Sequence, residues 1–387
     1  MTSAHYDVLI IGAGIHGAGV AQAAAAAHYT VLVLDKGGIA GGTSSRSSKL
    51  IHGGLRYLES GQLSLVRQCL RERTLLLHNA PHLVKPVPFF IPIYRHTRRR
   101  PWQIRLGLSV YALLTGLGDL ARFNRLTASR WPELDGLLTR DLQAVFQYWD
   151  AQTDDAALTR AVLASARELG AEVQLNTEVT DIAVESDCCR VSCQTQTHAS
   201  SYTAGVVINA AGPWVNQVLS RVAPAERLLE IDLVAGTHIV LDYALHQGIY
   251  YTESPADGRA VFIMPWQGKT LVGTTEKLFS GDPDTLQPSQ AEIDYLLKCF
   301  AHYFPEAKSP AIVESFAGLR VLAKTDSNPF HRPRDTILHV SHHNRVLSIY
   351  GGKLTAYRAT AEKALRRIAP SLPKKPAQPG TDKLKLP

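Results

Sequence analysis

Gly12-Ala13-Gly14-Ile15-His16-Gly17, set between the apolar run Val8 to Ile11 and the alanine-rich stretch Ala18 to Ala27, decides the fold. It fits G-x-G-x-x-G: the first glycine permits a tight turn, the second lets backbone approach a pyrophosphate, and the third lets helix and strand pack closely. Alanine-rich sequence favours helix, and Val31-Leu32-Val33-Leu34 follows as a second apolar run. Both runs are apolar at every position, as in parallel strands covered on each face. Asp35 closes the second run about 20 residues on, where a carboxylate can hydrogen-bond a ribose hydroxyl. The reading is strand, glycine turn, helix, strand, a unit that binds the ADP half common to NAD and FAD and does not choose between them.

Outward from that unit, a Gly/Ser-rich loop runs from Gly37 to Ser48, and helical spacing of apolar and basic residues predicts a surface helix over Leu63 to Leu77. Prolines and basic residues from Pro81 to Pro101 break the pattern, so a first excursion from the nucleotide-binding part is expected near residue 80. Thr153 to Gly170 reads as a helix, Glu172 to Val184 as two strands and Gly205 to Ala210 as a buried strand. Between Ile231 and Arg320, segments such as Thr237 to Leu241 and Ala260 to Pro265 suggest an antiparallel sheet. Arg345 to Tyr350 reads as a strand and Thr355 to Ile368 as a helix, and the Pro/Lys-rich residues 371–387 as a disordered tail.

The 387 residues suggest two domains, and a composition of 45% hydrophobic and 19% charged residues describes an ordinary folded protein. A formal net charge of +7 favours an anionic partner: a phosphorylated substrate, a lipid surface or nucleic acid. No nucleic-acid motif accompanies the charge. Five cysteines, Cys69, Cys188, Cys189, Cys193 and Cys299, form neither a disulfide framework nor a metal-type CxxC pair, and no metal site is expected. The start lacks the basic region of a signal peptide, which places the protein in the cytoplasm. Four arginines within Arg95 to Arg100, then Trp102 and an apolar run from Leu106 to Leu120, suit either a helix lying on the inner face of the membrane or an ordinary helix with a basic entrance.

Three later glycine loops, Gly41-Gly42-Thr43-Ser44-Ser45, Asn209-Ala210-Ala211-Gly212 and Gly351-Gly352-Lys353, follow predicted strands, and several such loops can surround one extended cofactor, which favours a flavin. The stretch Thr43-Ser44-Ser45-Arg46-Ser47-Ser48-Lys49-Leu50-Ile51-His52-Gly53-Gly54-Leu55-Arg56-Tyr57-Leu58-Glu59 resembles the signature of the FAD-dependent, quinone-linked glycerol-3-phosphate dehydrogenases. Asn209 to Trp214, Gly236 to Val240, Gly273-Thr274-Thr275, Gly318-Leu319-Arg320 and Gly351 to Arg358 resemble that family in the same order. The resemblance covers residues 5 to 370. It implies an α/β, D-amino-acid-oxidase-like architecture: a Rossmann-like FAD-binding domain of discontinuous segments (1–78, 145–225, 335–370) and an α+β substrate or cap domain with an antiparallel sheet (79–144, 226–334). The implied reaction is oxidation of sn-glycerol 3-phosphate to dihydroxyacetone phosphate, with electrons passed from FAD to a quinone.

The same resemblance implies that FAD is held by Gly12, Gly14, Ile15, His16 and Gly17, by Asp35 and Lys36, and by Thr43, Ser44, Ser45, Ser47, Ser48, Lys49, Leu50 and Ile51. Val179, Ala211, Gly212, Trp214, Arg320, Gly351, Gly352, Lys353, Leu354 and Thr355 complete the implied set. Arg56, Tyr57, His238, Arg320 and Lys353 are the expected substrate-binding and catalytic residues. Arg320 offers a bidentate fork to phosphate and Lys353 a cation at the flavin edge, and the two roles can exchange. His238 is the candidate base, with Tyr57 as a hydrogen-bonding helper. Against these stand a packed histidine on a strand, an ion-paired Arg56 and a tyrosine that only fills space. Two departures from the family are expected to bear on function: the sequence ends near residue 387 without the usual helical C-terminal domain, and Val321 replaces a common proline. The rival readings are an amine or 2-hydroxy-acid oxidoreductase of the same fold, and a flavin-binding protein without turnover.

Overall fold

In the computed structural model, residues 4–59, 61–116, 118–324, 336–376 and 380–387 are described. The strand His5–Ile11 pairs in parallel with Val31–Leu34 on one side and Ala199–Asn209 on the other. Glu172–Gln174 extends the sheet beyond Val31–Leu34, and Val346–Tyr350 adds in parallel to Val207, Ile208 and Asn209. The first half of Ala199–Asn209 turns instead to an antiparallel neighbour, Cys189–Gln194, which leads to Glu178–Val184. Val8, Leu9 and Ile10 are wholly buried, as parallel strands covered on both faces must be. Helices Ile15–Ala26, Asp155–Glu168 and Tyr357–Ile368 cover one face. The first of these is packed on nearly every side, which is why small alanines rather than an amphipathic stripe fill it.

The second sheet runs Lys277–Phe279, Ile231–Leu241, Lys269–Gly273, Ala260–Trp266, Ile249–Glu253, Val84–Tyr94, Leu142–Thr153 and Leu50–Ile51, with Ile312–Ala323 paired along Ile231–Leu241. Most neighbours are antiparallel, as the alternating segments between 231 and 320 suggest. Helix Gln290–Tyr303 packs on one face, and helices Leu63–Asn79 and Pro101–Thr115 on the other. Val321 sits buried opposite Leu233 on the strand Ile312–Ala323.

Several expectations change. The broken stretch from 81 to 101 contains an eleven-residue strand, Val84–Tyr94, whose Pro86, Pro88 and Pro92 occupy alternate positions, so their missing N–H groups share one strand edge. The expected return to the nucleotide-binding part at 145 falls inside Leu142–Thr153, which stays in the second sheet to its end, and Leu50–Ile51 joins that sheet as well. The boundary expected at 334/335 lies outside the described residues. Residues 380–387, expected to be disordered, pack on the protein: the Leu386 N–H donates to the Asn79 carbonyl (3.0 Å), and the Asn79 side chain donates to the Asp382 carbonyl (2.8 Å). Thr381 meets Arg358 and Glu362. Single anchors, Leu386 and Thr381, hold this segment, so it shows no apolar period.

Candidate active site

A cleft of about 1530 Å³ runs between the glycine loops of the first sheet and the inner strands of the second. Ordinary small-molecule pockets occupy ~300–1,000 Å³, so this one has room for a dinucleotide and a small substrate together. Every expected site residue lines it except Gly17, Ser45, Lys49 and Ile51. Gly17 serves packing: a Cβ there would lie 1.8 Å from the Gly12 carbonyl oxygen. Lys49 is a structural tie, its ammonium bonded to Asp155 Oδ1 and the Ser45 carbonyl (both 2.6 Å). Asp155 also accepts from the Ser47 N–H and hydroxyl (2.9 and 2.6 Å), so the start of helix Asp155–Glu168 pins the Gly/Ser loop.

At the nucleotide end, Asp35 Oδ2 accepts from the Ala13 N–H (2.6 Å) and Oδ1 from the Gly37 N–H (2.8 Å). A carboxylate offers about four lone-pair directions, so bracing the loop leaves room for a ribose hydroxyl. The Ile15 N–H donates to Ser44 Oγ (2.9 Å), placing the N-terminus of helix Ile15–Ala26 and its positive dipole end at the cleft. Lys36 bonds Asp284 (2.5 Å) and lies 4.3 Å over the Trp214 ring, joining the first sheet to the turn Pro283–Thr285 across the cleft edge. The buried Nε2 of His16 has no hydrogen-bond partner, and burial lowers that imidazole to about 4.

At the other end, His238 stands on Ile231–Leu241 with its ring stacked on Phe316 (5.0 Å). Gly273 lies opposite it, where a Cβ would come within 2.1 Å of the imidazole. His238 Nε2 lies 2.9 Å from Ser48 Oγ, and its buried Nδ1 has no partner. Burial, and then the charges of Arg320 and Lys49, push this histidine down to about 3, so it is neutral near pH 7. Arg320, on Ile312–Ala323, donates to Glu276 Oε1 (2.6 Å). Lys353 Nζ sits 3.5 Å above the Tyr57 ring, so Tyr57 supports the ammonium by its π face as well as filling space. The Thr355 hydroxyl accepts from the His52 N–H (3.2 Å), tying the Gly351-Gly352-Lys353 turn to the signature loop. A bound flavin fits these residues: two buried ring nitrogens, on His16 and His238, lack partners, and both side chains line a cleft of dinucleotide size.

Among the cleft residues that sequence reasoning missed are His52, Arg259 and Glu276. His52 is half-buried, and the removal of its ring from water is the chief cause that holds its pKa down to about 4. Arg259 and Glu276 bond each other at 3.0 Å, and Glu276 also reaches Arg320 and, at 3.9 Å, Arg56. His52 was inside the quoted signature and could have been found there. Arg259 and Glu276 belong to no local motif, since pairing across strands creates their role.

The profile of the FAD dependent oxidoreductase family matches residues 7–358. The chain is 37% identical over 376 residues to a glycerol-3-phosphate dehydrogenase of Pseudomonas aeruginosa, covering 94% of this chain and 72% of the relative. It is 35% identical to a D-erythritol 1-phosphate dehydrogenase of Brucella abortus, covering 94% and 73%. The glycerol-3-phosphate dehydrogenase of Bacillus halodurans, solved in complex with FAD, superposes with a TM-score of 0.75 at 27% identity, over 99% of this chain and 68% of that one.

Proposed function

The chain belongs to the FAD dependent oxidoreductase family, and from that premise we propose that it oxidises sn-glycerol 3-phosphate to dihydroxyacetone phosphate. The observation that carries the reading is the meeting, in one cleft, of a neutral buried imidazole with an arginine and a lysine: His238, Arg320 and Lys353. The names of the Pseudomonas and Brucella relatives support a phosphorylated polyol.

When bound, FAD supplies a two-electron acceptor for the hydride leaving C2. Arg320 and Arg56 hold the phosphate, and Lys353 steadies the oxygen on C2. His238 is the proposed acceptor of the hydroxyl proton, and Ser48 fixes its ring through Nε2. Burial first, and then the charges of Arg320 and Lys49, hold the imidazole basicity low in the free site. A dianion placed against Arg320 cancels part of that field and raises the basicity when substrate arrives. Gly12, Gly14, Asp35, Ser44 and the Gly351-Gly352-Lys353 turn are the proposed cofactor cradle. Segments 1–78, 145–225 and 335–370, less the strands joined to the second sheet, are the proposed FAD-binding domain.

Among the described residues no helix is long and apolar enough to cross a membrane. Helix Pro101–Thr115 spans only about 22 Å at 1.5 Å per residue. It leaves Trp102 (66%), Leu106 (58%) and Leu113 (80%) exposed, next to exposed Arg95, Arg98 and Arg100. That combination suits a peripheral contact with anionic lipid on the cytoplasmic face, where a quinone would take the electrons.

Turnover with a soluble quinone analogue tests the reading. The account expects sn-glycerol 3-phosphate to outpace glycine, sarcosine and 2-hydroxyglutarate. D-erythritol 1-phosphate belongs in the same panel, because the Brucella relative is nearly as similar as the Pseudomonas one. Preference for a carboxylate substrate sinks the phosphate assignment.

A further inference from the structure

Glu276 follows the turn Gly273-Thr274-Thr275 with its side chain only 7% exposed. Its Oε1 accepts from Arg320 Nη1 at 2.6 Å and lies 3.9 Å from Arg56 Nη2. Its Oε2 accepts from Arg259 Nη2 at 3.0 Å, and Arg259 Nη1 donates to the Glu276 carbonyl at 3.3 Å. The three arginines come from distant parts of the chain: the helix Arg56–Glu59, the approach to strand Ala260–Trp266, and strand Ile312–Ala323. All four residues line the cleft, and the guanidinium groups stay part-exposed while the carboxylate is buried beneath them.

Three like charges converging on one cleft repel and would swing apart without a counter-charge. A buried carboxylate with hydrogen bonds to two of them fixes their directions, which a solvated surface pair would not do. A phosphate monoester near neutral pH carries close to two negative charges and three acceptor oxygens, which suits three convergent guanidinium groups. A carboxylate offers only two oxygens and a single charge to the same three groups.

We propose that Glu276 is a positioning residue that arranges Arg56, Arg259 and Arg320 into a receptor for a phosphate monoester dianion, and that Arg259 is a further residue binding that phosphate. The inference rests on the polyol phosphate reading above and adds the means by which a phosphate, rather than a carboxylate, is chosen. Each guanidinium carries five N–H donors, more than Glu276 can accept, so the same arginines can hold the carboxylate and the ligand together.

Calorimetric titration of the FAD-loaded full chain with inorganic phosphate, beside anaerobic flavin bleaching by sn-glycerol 3-phosphate, tests it. Arg259→Ala weakens inorganic phosphate binding by about tenfold or more, the worth of a charge-assisted hydrogen bond. Glu276→Gln slows the limiting bleaching rate by about tenfold or more without weakening phosphate, because net positive charge rises while direction is lost. Glu276→Asp restores most of that rate. Unchanged phosphate affinity in Arg259→Ala overturns the assignment of Arg259. A wild-type bleaching rate in Glu276→Gln, or loss of rate and phosphate binding together without rescue by Glu276→Asp, overturns the positioning role. A wild-type protein that binds phosphate but is not bleached by sn-glycerol 3-phosphate contradicts the oxidation reading, and the phosphate titrations of the variants then decide this inference alone.

Discussion

Ser48 Oγ and His238 Nε2 lie 2.9 Å apart, so the Gly/Ser loop of the cofactor end holds the imidazole of the chemical end through one hydrogen bond. The ring nitrogen opposite that bond is the buried, unpartnered one. His238→Gln is expected to slow flavin reduction by about 10²–10⁴, the usual worth of a positioned base. Ser48→Ala removes only the orientation and is expected to cost about tenfold or less. Stopped-flow bleaching measures both, and a Ser48→Ala defect as deep as that of His238→Gln would mean the hydroxyl, not the imidazole, handles the proton.

Acid sensitivity follows from His16, His52 and His238, which burial holds down to about 4, 4 and 3. Unfolded, each imidazole gains a proton below its ordinary pKa of about 6.5; folded, it gains one only near 3 to 4. The unfolded state therefore binds more protons in that window, and stability present above pH 6.5 is lost as pH falls through it. Each group is expected to remove on the order of 1–2 kcal/mol between pH 7 and 5. Denaturant melts at the two pH values check this, and His16→Gln should flatten the slope.

Arg73 and Asp150 form a fully buried ion pair, and Tyr111 donates to Asp150 Oδ2 (2.6 Å) while accepting from the Gly53 N–H (2.8 Å). The pair thus reaches the signature loop through a residue of helix Pro101–Thr115. Asp150→Ala leaves a buried guanidinium uncompensated and is expected to cost about 3–5 kcal/mol. Tyr111→Phe strands the Gly53 donor at about 1–3 kcal/mol. Equilibrium unfolding of the two variants distinguishes these values.

The outer face of helix Pro101–Thr115 supplies a test of membrane contact. Leu106→Glu with Leu113→Glu is expected to abolish co-sedimentation with anionic vesicles while reduction by soluble substrate persists, since neither side chain lines the cleft. Unaltered sedimentation assigns lipid contact elsewhere.

The nucleotide end was legible in the sequence because its determinants are local: Gly12 to Gly17 and Asp35 act within one strand-turn-helix-strand unit. His238, Arg320 and Lys353 could be picked out by resemblance, and the fold brings them to one cleft. Long-range pairings were not legible. Glu276 is an ordinary acid until strands Ile231–Leu241 and Ile312–Ala323 carry Arg320 to it, and only the fold brings the Lys49 ammonium to Asp155. Pro86, Pro88 and Pro92 hid a strand because their alternate spacing matters only once neighbours are known, and residues 380–387 are held by the isolated anchors Thr381 and Leu386 rather than by an apolar period.

The most direct measurement is anaerobic mixing of the FAD-loaded protein with sn-glycerol 3-phosphate while the visible flavin band is followed. The account predicts rapid bleaching that is lost in Arg320→Ala with FAD still bound. A bound flavin that stays oxidised in the presence of this substrate would contradict it.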